Sequence, residues 1–435
     1  MSHKDAATIQ GIDDSELTPE QILEIGKTLG MQYKSITVGM NTNPSSMMVF
    51  SSLVAGMTCT GADVRNAGVL PTPAIPFASE NTDCCVMIGN PEDPDRISGL
   101  TFLNPDGRYF NGPQMFAFKN RLDAEKVLPG YNYVGKLKSY NGAAEQYTKK
   151  VANYIGVADC QVVIDCASDS PAAVVPSIMK RIGDDAMIVS CQTDIRPRGT
   201  WANPEEYNTR LLSKIVKANY GSIGIALNND GTRVAAIDET GECVMSDDLL
   251  LLLISYIQPR KVAVPIDTSM AVKDVMKGSV KLCKLGTEAI GEAMKLDNIE
   301  FGGTSDGSFV FRNISYASDG ITAAALITKM ATETSLRDLV MDLPRYCRDE
   351  DFVKYPAHRE IIAKKISSRV GDLSYRDLSV IDGWRVEMDS GWFLIRFSDF
   401  ENDIDIKVEG TDKIYTAGLM EIAKDIVISS IKASQ

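Results

Sequence analysis

Arg396 and Ser398 stand two positions apart just after the apolar run Trp392-Phe393-Leu394-Ile395. A guanidinium and a hydroxyl so placed can together contact an anion, the guanidinium through charge-assisted hydrogen bonds. Asp399 and Glu401 offer the same guanidinium an internal partner, so anion contact and internal pairing both stand open. A second apolar run, 223–227, leads into Asn228-Asn229-Asp230-Gly231-Thr232-Arg233. One carboxylate among neutral neighbours supports at most a weak, hydrated cation site, and Asp230-Gly231 equally supplies turn geometry. A third run, Val86-Met87-Ile88, opens onto Pro91 and Pro94 with Glu92, Asp93 and Asp95, which reads as an acidic turn built on two prolines. Histidine is scarce, with His3 and His358 alone, so imidazole acid–base chemistry is poorly supplied. The nine cysteines include no Cys-x-x-Cys pair and no adjacent histidine that would complete a metal site. Cys84-Cys85, set before an apolar strand, reads as buried thiols.

These groups need elements to hold them. Thr18, Pro19 and Gln21 form a helix start with a capping box, and Ile22, Leu23 and Ile25 give the helix its apolar contacts. Gly26 and Gly30 are expected to weaken and close it. A strand through Ile36 and Val38, a helix around Ser45 to Met57, a strand near Val64 and a turn at Pro71-Thr72-Pro73 follow. Val162-Val163-Ile164, Met187-Ile188-Val189 and Ile223-Gly224-Ile225 read as buried strands in a second round. A third begins at Lys261-Val262-Ala263-Val264 and runs through a helix at Thr322 to Lys329. Strand–helix alternation of this kind predicts layered α/β domains. From Gly383 the pattern changes to antiparallel strands at 384–388, 392–395 and 404–408, closed by a helix around Thr416 to Ile431.

At 435 residues the chain exceeds one hydrophobic core, and 44% hydrophobic with 24% charged residues suits a chain folded throughout. A net charge of −13 argues against nucleic acid or anionic membrane as partner. No apolar run is long enough to span a bilayer and the N-terminus lacks a secretory pattern, so a cytoplasmic location is expected.

Runs along the whole chain resemble the α-D-phosphohexomutase family, which includes phosphoglucomutase, phosphomannomutase and phosphoglucosamine mutase. They are Leu17-Thr18-Pro19-Glu20, Val38-Gly39 before Ser45-Ser46, Gly68-Val69-Leu70-Pro71-Thr72-Pro73-Ala74 and Asn104-Pro105-Asp106-Gly107. Ile237-Asp238-Glu239-Thr240-Gly241, Phe301-Gly302-Gly303, Ser318-Asp319-Gly320-Ile321 and Leu343-Pro344 follow in the family's order. The resemblance implies three α/β domains and a smaller C-terminal α+β domain around a central cleft, here placed at 1–145, 146–255, 256–365 and 366–435. It also implies intramolecular phosphoryl transfer through a phosphoserine, with a loop of three aspartates for magnesium, a loop that reads sugar hydroxyls and a loop that grips phosphate.

Measured against that pattern, each loop has changed. Pro91 stands where the family has its serine and carries no hydroxyl. Of the three metal-binding aspartates only Asp230 remains. Gly302-Gly303-Thr304-Ser305-Asp306-Gly307 keeps the glycines of the sugar loop but has Thr304 for its glutamate and Asp306 for its serine. The phosphate loop keeps Arg396, Ser398 and Glu401, with Asp399 and Phe400 replacing a glycine and a threonine. Gln10 replaces an arginine of an early motif, and Asn41-Thr42-Asn43 stands for Asp-x-Arg. These losses predict a catalytically inactive homologue, a pseudoenzyme with no catalytic residues and no expected cofactor, in which Asp230 is a vestige and Arg396 with Ser398 a residual phosphate contact. Such a protein would act as a structural or regulatory binder of a protein partner or of a second copy of itself. The alternative is a sugar-phosphate mutase, or a sensor of a phosphorylated small molecule, with a rebuilt site.

Overall fold

The computed structural model describes residues 7–9, 11–12, 15–89, 99–122, 124–183, 186–191, 209–355, 358–398 and 402–434. It divides into two compact units, the first made of 1–257 and 286–342, the second of 258–285 and 343–435.

The first unit opens with strand β1 (Thr8–Ile9) and helix α1 (Pro19–Gln32). Thr18 caps α1 as its residue types predict: the Thr18 Oγ1 accepts from Gln21 N, and the Gln21 side chain accepts from Thr18 N. The helix does not close at Gly26 or Gly30. Those glycines serve packing against α2 (Ser46–Cys59): a Cβ on Gly26 would stand 2.4 Å from Leu53 O, and one on Gly56 2.2 Å from Leu23 O. Bare glycine faces let the two backbones meet, and tertiary contact outweighs the weak helix propensity of glycine.

Strands β2 (Ser35–Met40), β3 (Asp63–Val69), β4 (Cys84–Gly89), β5 (Gly99–Leu103) and β6 (Leu137–Ser139) join β1 in one sheet, ordered β1-β5-β4-β2-β3-β6. Its central pairs, β2 with β3 and β2 with β4, are parallel. The Cys84 and Cys85 thiols are buried in β4, as their setting predicts. The turn at Pro71 continues as a 3-10 helix over Thr72–Ala78, where two prolines and buried Ala74, Ile75 and Ala78 favour a compact coil over a bare turn.

A second sheet follows α3 (Ala143–Ile155). It is built from β7 (Val162–Asp165), β8 (Met187–Val189), β9 (Ile223–Leu227), β10 (Val234–Ile237) and β11 (Cys243–Val244), in the order β8-β7-β9-β10-β11. β7 and β9 are buried as read and β10 is buried beside them, whereas β8 is an edge strand with Met187 46% exposed. Helix α4 (Val175–Ile182) connects β7 to β8. The unit is completed by α5 (Ser246–Ile257), the hairpin of Phe301–Gly303 with Phe309–Phe311, and α6 (Gly320–Glu333).

In the second unit, β12 (Cys347–Lys354), β13 (Asp377–Ser379), β14 (Trp384–Glu387), β15 (Gly391–Phe397) and β16 (Asp403–Gly410) form an antiparallel sheet ordered β12-β16-β15-β14-β13. β12, β13 and helix α7 (Arg359–Gly371) go beyond what the sequence pattern showed, because their alternation is mostly polar. One face, through Val386, Phe393, Ile395, Ile404 and Ile406, packs on α7 and α8 (Lys413–Lys432) in a continuous apolar core. The other face carries Trp392, Leu394 and charged residues, and Ile266 packs on it from the parallel pair Lys261–Pro265 and Ser279–Cys283. No described helix is long and apolar enough to cross a membrane.

Candidate functional site

In the first unit, the loop after β9 is met by segments from three parts of the chain, around Thr72, Ser170 and Gly320. Asn228, Asn229, Asp230, Thr232 and Arg233 are all buried. Thr72 donates its N–H to Asp230 O at 2.9 Å and its hydroxyl to Asp230 Oδ2 at 3.1 Å. The Ser170 hydroxyl donates to Asn229 O at 2.8 Å, and Gly320 N–H donates to Gly231 O at 2.9 Å. Gly231 has φ +74°, a left-handed conformation that favours glycine. Asp230 therefore does supply turn geometry, as one of its two readings predicts.

Both oxygens of Asp230 are engaged, Oδ2 by Thr72 and Oδ1 by the N–H and hydroxyl of Thr232. Among the described residues no group of three or more His, Cys, Asp or Glu side chains is placed to hold a metal. Asp230 fits magnesium only as a single protein carboxylate, and such a site is ordinarily completed by water and substrate phosphate oxygens.

The sugar loop lies in the same unit and is tied to the metal loop. Arg233 Nη2 stands 3.0 Å from Asp306 Oδ2, and Arg233 Nε donates to the Ser308 hydroxyl at 3.3 Å. Thr304 donates its hydroxyl to Asp306. The two residues that depart from the family's pattern, Thr304 and Asp306, thus bond to each other and anchor a buried arginine.

The segment after β2 is joined to the second sheet by Asp169. Its carboxylate accepts from Thr42 N and the Thr42 hydroxyl, both at 2.8 Å, from Asn41 Nδ2 at 3.3 Å and from Ser170 N at 2.7 Å. Burial pushes its carboxyl up to about 6 against the pull of these donors. Sequence reading missed Asp169, although Asp-Ser-Pro at 169–171 is a helix-start signal. Above it lies a cavity of about 580 Å³ lined by Met40, Asn41, Thr42, Val69, Ala172 and Cys191, at the carboxyl ends of β2, β3 and β8 where open α/β sheets place ligands.

The second unit holds the phosphate-loop residues. Arg396 is 5% exposed, and its Nε lies 3.2 Å from Asp382 Oδ2, with Asp405 Oδ2 3.9 Å from Nη1. Internal pairing is what the structure places at Arg396, through Asp382; Asp399 and Glu401 lie outside the described residues. Ser398 N–H donates to Asp403 O at 2.9 Å, which fixes the end of β15. Pro91, Glu92, Asp93, Asp95 and Arg96 of the serine loop, and Gln10, also lie outside the described residues.

The same sheet face carries a charged cluster that sequence reading did not find. Arg385, 1% exposed, stands 4.0 Å from the Trp392 ring centroid and donates to Ile266 O, to Thr268 O at 2.8 Å and to Glu387 at 2.9 Å. Glu409, fully buried, accepts from Trp392 Nε1 at 2.7 Å and from Met270 N at 2.6 Å. Lys407 Nζ lies 2.7 Å from Asp267 Oδ2. These bonds tie the segment 258–285 to the sheet.

Family models for phosphoglucomutase/phosphomannomutase match this chain in three places: alpha/beta/alpha domain I at 5–127, domain II at 138–241 and domain III at 245–346. A relative from Methanosarcina barkeri named "Probable phosphoglucosamine mutase" is 30% identical over 430 residues, covering 98% of each chain. The crystal structure of a phosphoglucomutase/phosphomannomutase family protein from Burkholderia thailandensis superposes with a TM-score of 0.84 at 18% identity, over 98% of this chain and 97% of that one. The Aspergillus fumigatus N-acetylphosphoglucosamine mutase in complex with GlcNAc-6P and magnesium has a TM-score of 0.56 at 13% identity, over 92% of this chain and 78% of that one.

Two expectations are corrected by these findings. The inactive, pseudoenzyme reading rested on motif losses; a relative named as a mutase and matching along the full length points instead to an active enzyme. The expectation of no cofactor gives way as well, because a protein of the same fold is seen with magnesium.

Proposed function

Given that the chain belongs to the phosphoglucomutase/phosphomannomutase family, we propose that it is a cytoplasmic sugar-phosphate mutase with a rebuilt site, acting on glucosamine phosphates. The observation that carries this reading is the identity to a phosphoglucosamine mutase relative across 98% of both chains. Conservation of a fold alone leaves activity open, so the loops bear on how the work is divided. Pro91 cannot accept a phosphoryl group, so the proposed turnover requires an acceptor hydroxyl elsewhere in the chain.

Asp230, with phosphate oxygens of the substrate, would hold magnesium, and the ion when bound neutralises charge on the phosphoryl group. The Thr72 and Thr232 hydroxyls orient the Asp230 carboxylate. Within the second unit, Arg396 and Ser398 are the residues that the family resemblance offers for phosphate contact, with Asp382 beside the guanidinium.

The experiment is phosphorus NMR of purified chain with glucosamine 6-phosphate, magnesium and a hexose bisphosphate activator. The 1-phosphate should form above a no-protein control, disappear on chelation and return with magnesium. Intact-mass analysis after incubation with bisphosphate should find one phosphorylated hydroxyl. No turnover of any hexose phosphate under these conditions would overturn the reading. Arg396→Ala should raise KM about tenfold or more, the loss of one charge-assisted contact; an unchanged KM would remove Arg396 from the site.

A further inference from the structure

Strands β7 and β8 run parallel in register, with Val189 opposite Asp165, and each ends in a cysteine within two residues. Cys166 N–H donates to Val189 O at 3.1 Å, and Ser168 N–H donates to Ser190 O at 2.7 Å, so pairing continues past the strand ends. Strand alternation would send residues 190 and 191 to opposite faces. Ser190, however, has φ +53°, and this left-handed residue breaks the alternation. The thiols of Cys166 and Cys191 lie near enough to shift each other's titration, Cys166 upward and Cys191 downward. Residues diagonal across neighbouring strands lie roughly 6 Å apart at Cα, inside the range a disulfide spans.

The two thiols differ in setting. Cys166 is buried, whereas Cys191 is exposed and lines the cavity above Asp169. We propose that Cys166 and Cys191 form a redox-active dithiol, with Cys191 the attacking thiol at the cavity wall and Cys166 the resolving thiol beneath it.

Hydrogen bonding from Cys166 lowers the Cys191 thiol to about 7, against burial and the Asp165 charge, so part of it is thiolate near neutral pH. With hydrogen peroxide as oxidant, the Cys191 thiolate takes one peroxide oxygen and becomes a sulfenic acid, and hydroxide leaves. Cys166 sulfur then displaces that oxygen, which takes the Cys166 thiol proton and leaves as water, while the proton that Cys191 gave up on ionising neutralises the hydroxide of the first step. The two thiols lose two electrons and two protons, and one peroxide becomes two waters. A dithiol reductant reverses the bond by exchange.

The test uses the full-length wild-type chain, reduced and then exposed to a small excess of hydrogen peroxide at pH 7, alkylated and mapped by peptide mass spectrometry. A Cys166–Cys191 cross-linked peptide, reversed by dithiothreitol, is expected before oxidation of exposed Cys243. In Cys166→Ser, dimedone should trap a sulfenic acid on Cys191. The proposal is overturned if both cysteines remain alkylatable while Cys243 is oxidised, or if either pairs elsewhere. Because the readout is the cysteine chemistry itself, it stands or falls separately from the mutase assay.

Discussion

Asp319 caps α6, and its carboxylate accepts from Thr322 N at 2.7 Å, from the Thr322 hydroxyl at 2.6 Å and from Tyr147 Oη at 2.8 Å. Burial outweighs these donors and pushes its carboxyl up to about 6. A pKa raised in the folded state makes protonation stabilising. That contribution is complete below the unfolded carboxyl range near pH ~4 and is lost as pH rises through about 6. Asp169 adds a second group of the same sign. Between about pH 4 and 6 the wild type should therefore lose stability relative to Asp319→Asn by an amount on the order of 3 kcal/mol. Urea unfolding of both proteins at several pH values measures this; parallel pH profiles would show that Asp319 titrates normally.

Among the elements, the pairing of α1 with α2 depends on glycine at the crossing. Helix propensity predicts that Gly56→Ala stabilises, by ~1 kcal/mol. The packing predicts the reverse, because the added methyl would meet the Leu23 carbonyl oxygen at 2.2 Å and Lys27 N at 2.9 Å, both backbone atoms that cannot rotate away. Overpacking of this kind costs about 1–3 kcal/mol. Thermal unfolding of Gly56→Ala should therefore show a lowered Tm, and an unchanged or raised Tm would mean that the helices separate without cost.

The whole molecule is assembled from segments that return to each other across long stretches of chain. The second unit takes 258–285 from the middle and 343–435 from the end, and Arg385 joins the two by donating to carbonyls of Ile266 and Thr268. Arg385→Ala leaves those carbonyls and Glu387 without their buried cation, a loss worth about 3–5 kcal/mol. Hydrogen exchange should quicken over 258–285 and 384–410 and stay unchanged over 35–69. Uniform quickening along the chain would show that the units do not open separately.

Local chemistry was legible from residue order. The capping box of Thr18 and Gln21 involves groups three residues apart, and the apolar periods of β2, β7, β9 and α6 report one element each, so no distant information is needed. The family's runs were legible in the same way, because their order is itself sequence. Motif losses in every domain argued for inactivity, whereas similarity along the full chain to a relative named as a mutase points the other way. Tertiary structure alone decided what Asp169, Arg385 and Glu409 do, since their partners lie as far as 139 residues away. It also decided that Gly26 and Gly30 are contact points and not helix ends, that Arg396 meets Asp382, and that Cys166 and Cys191 become neighbours. Each of these depends on which strands and helices become neighbours, and burial of the whole core selects those neighbours where local preference does not.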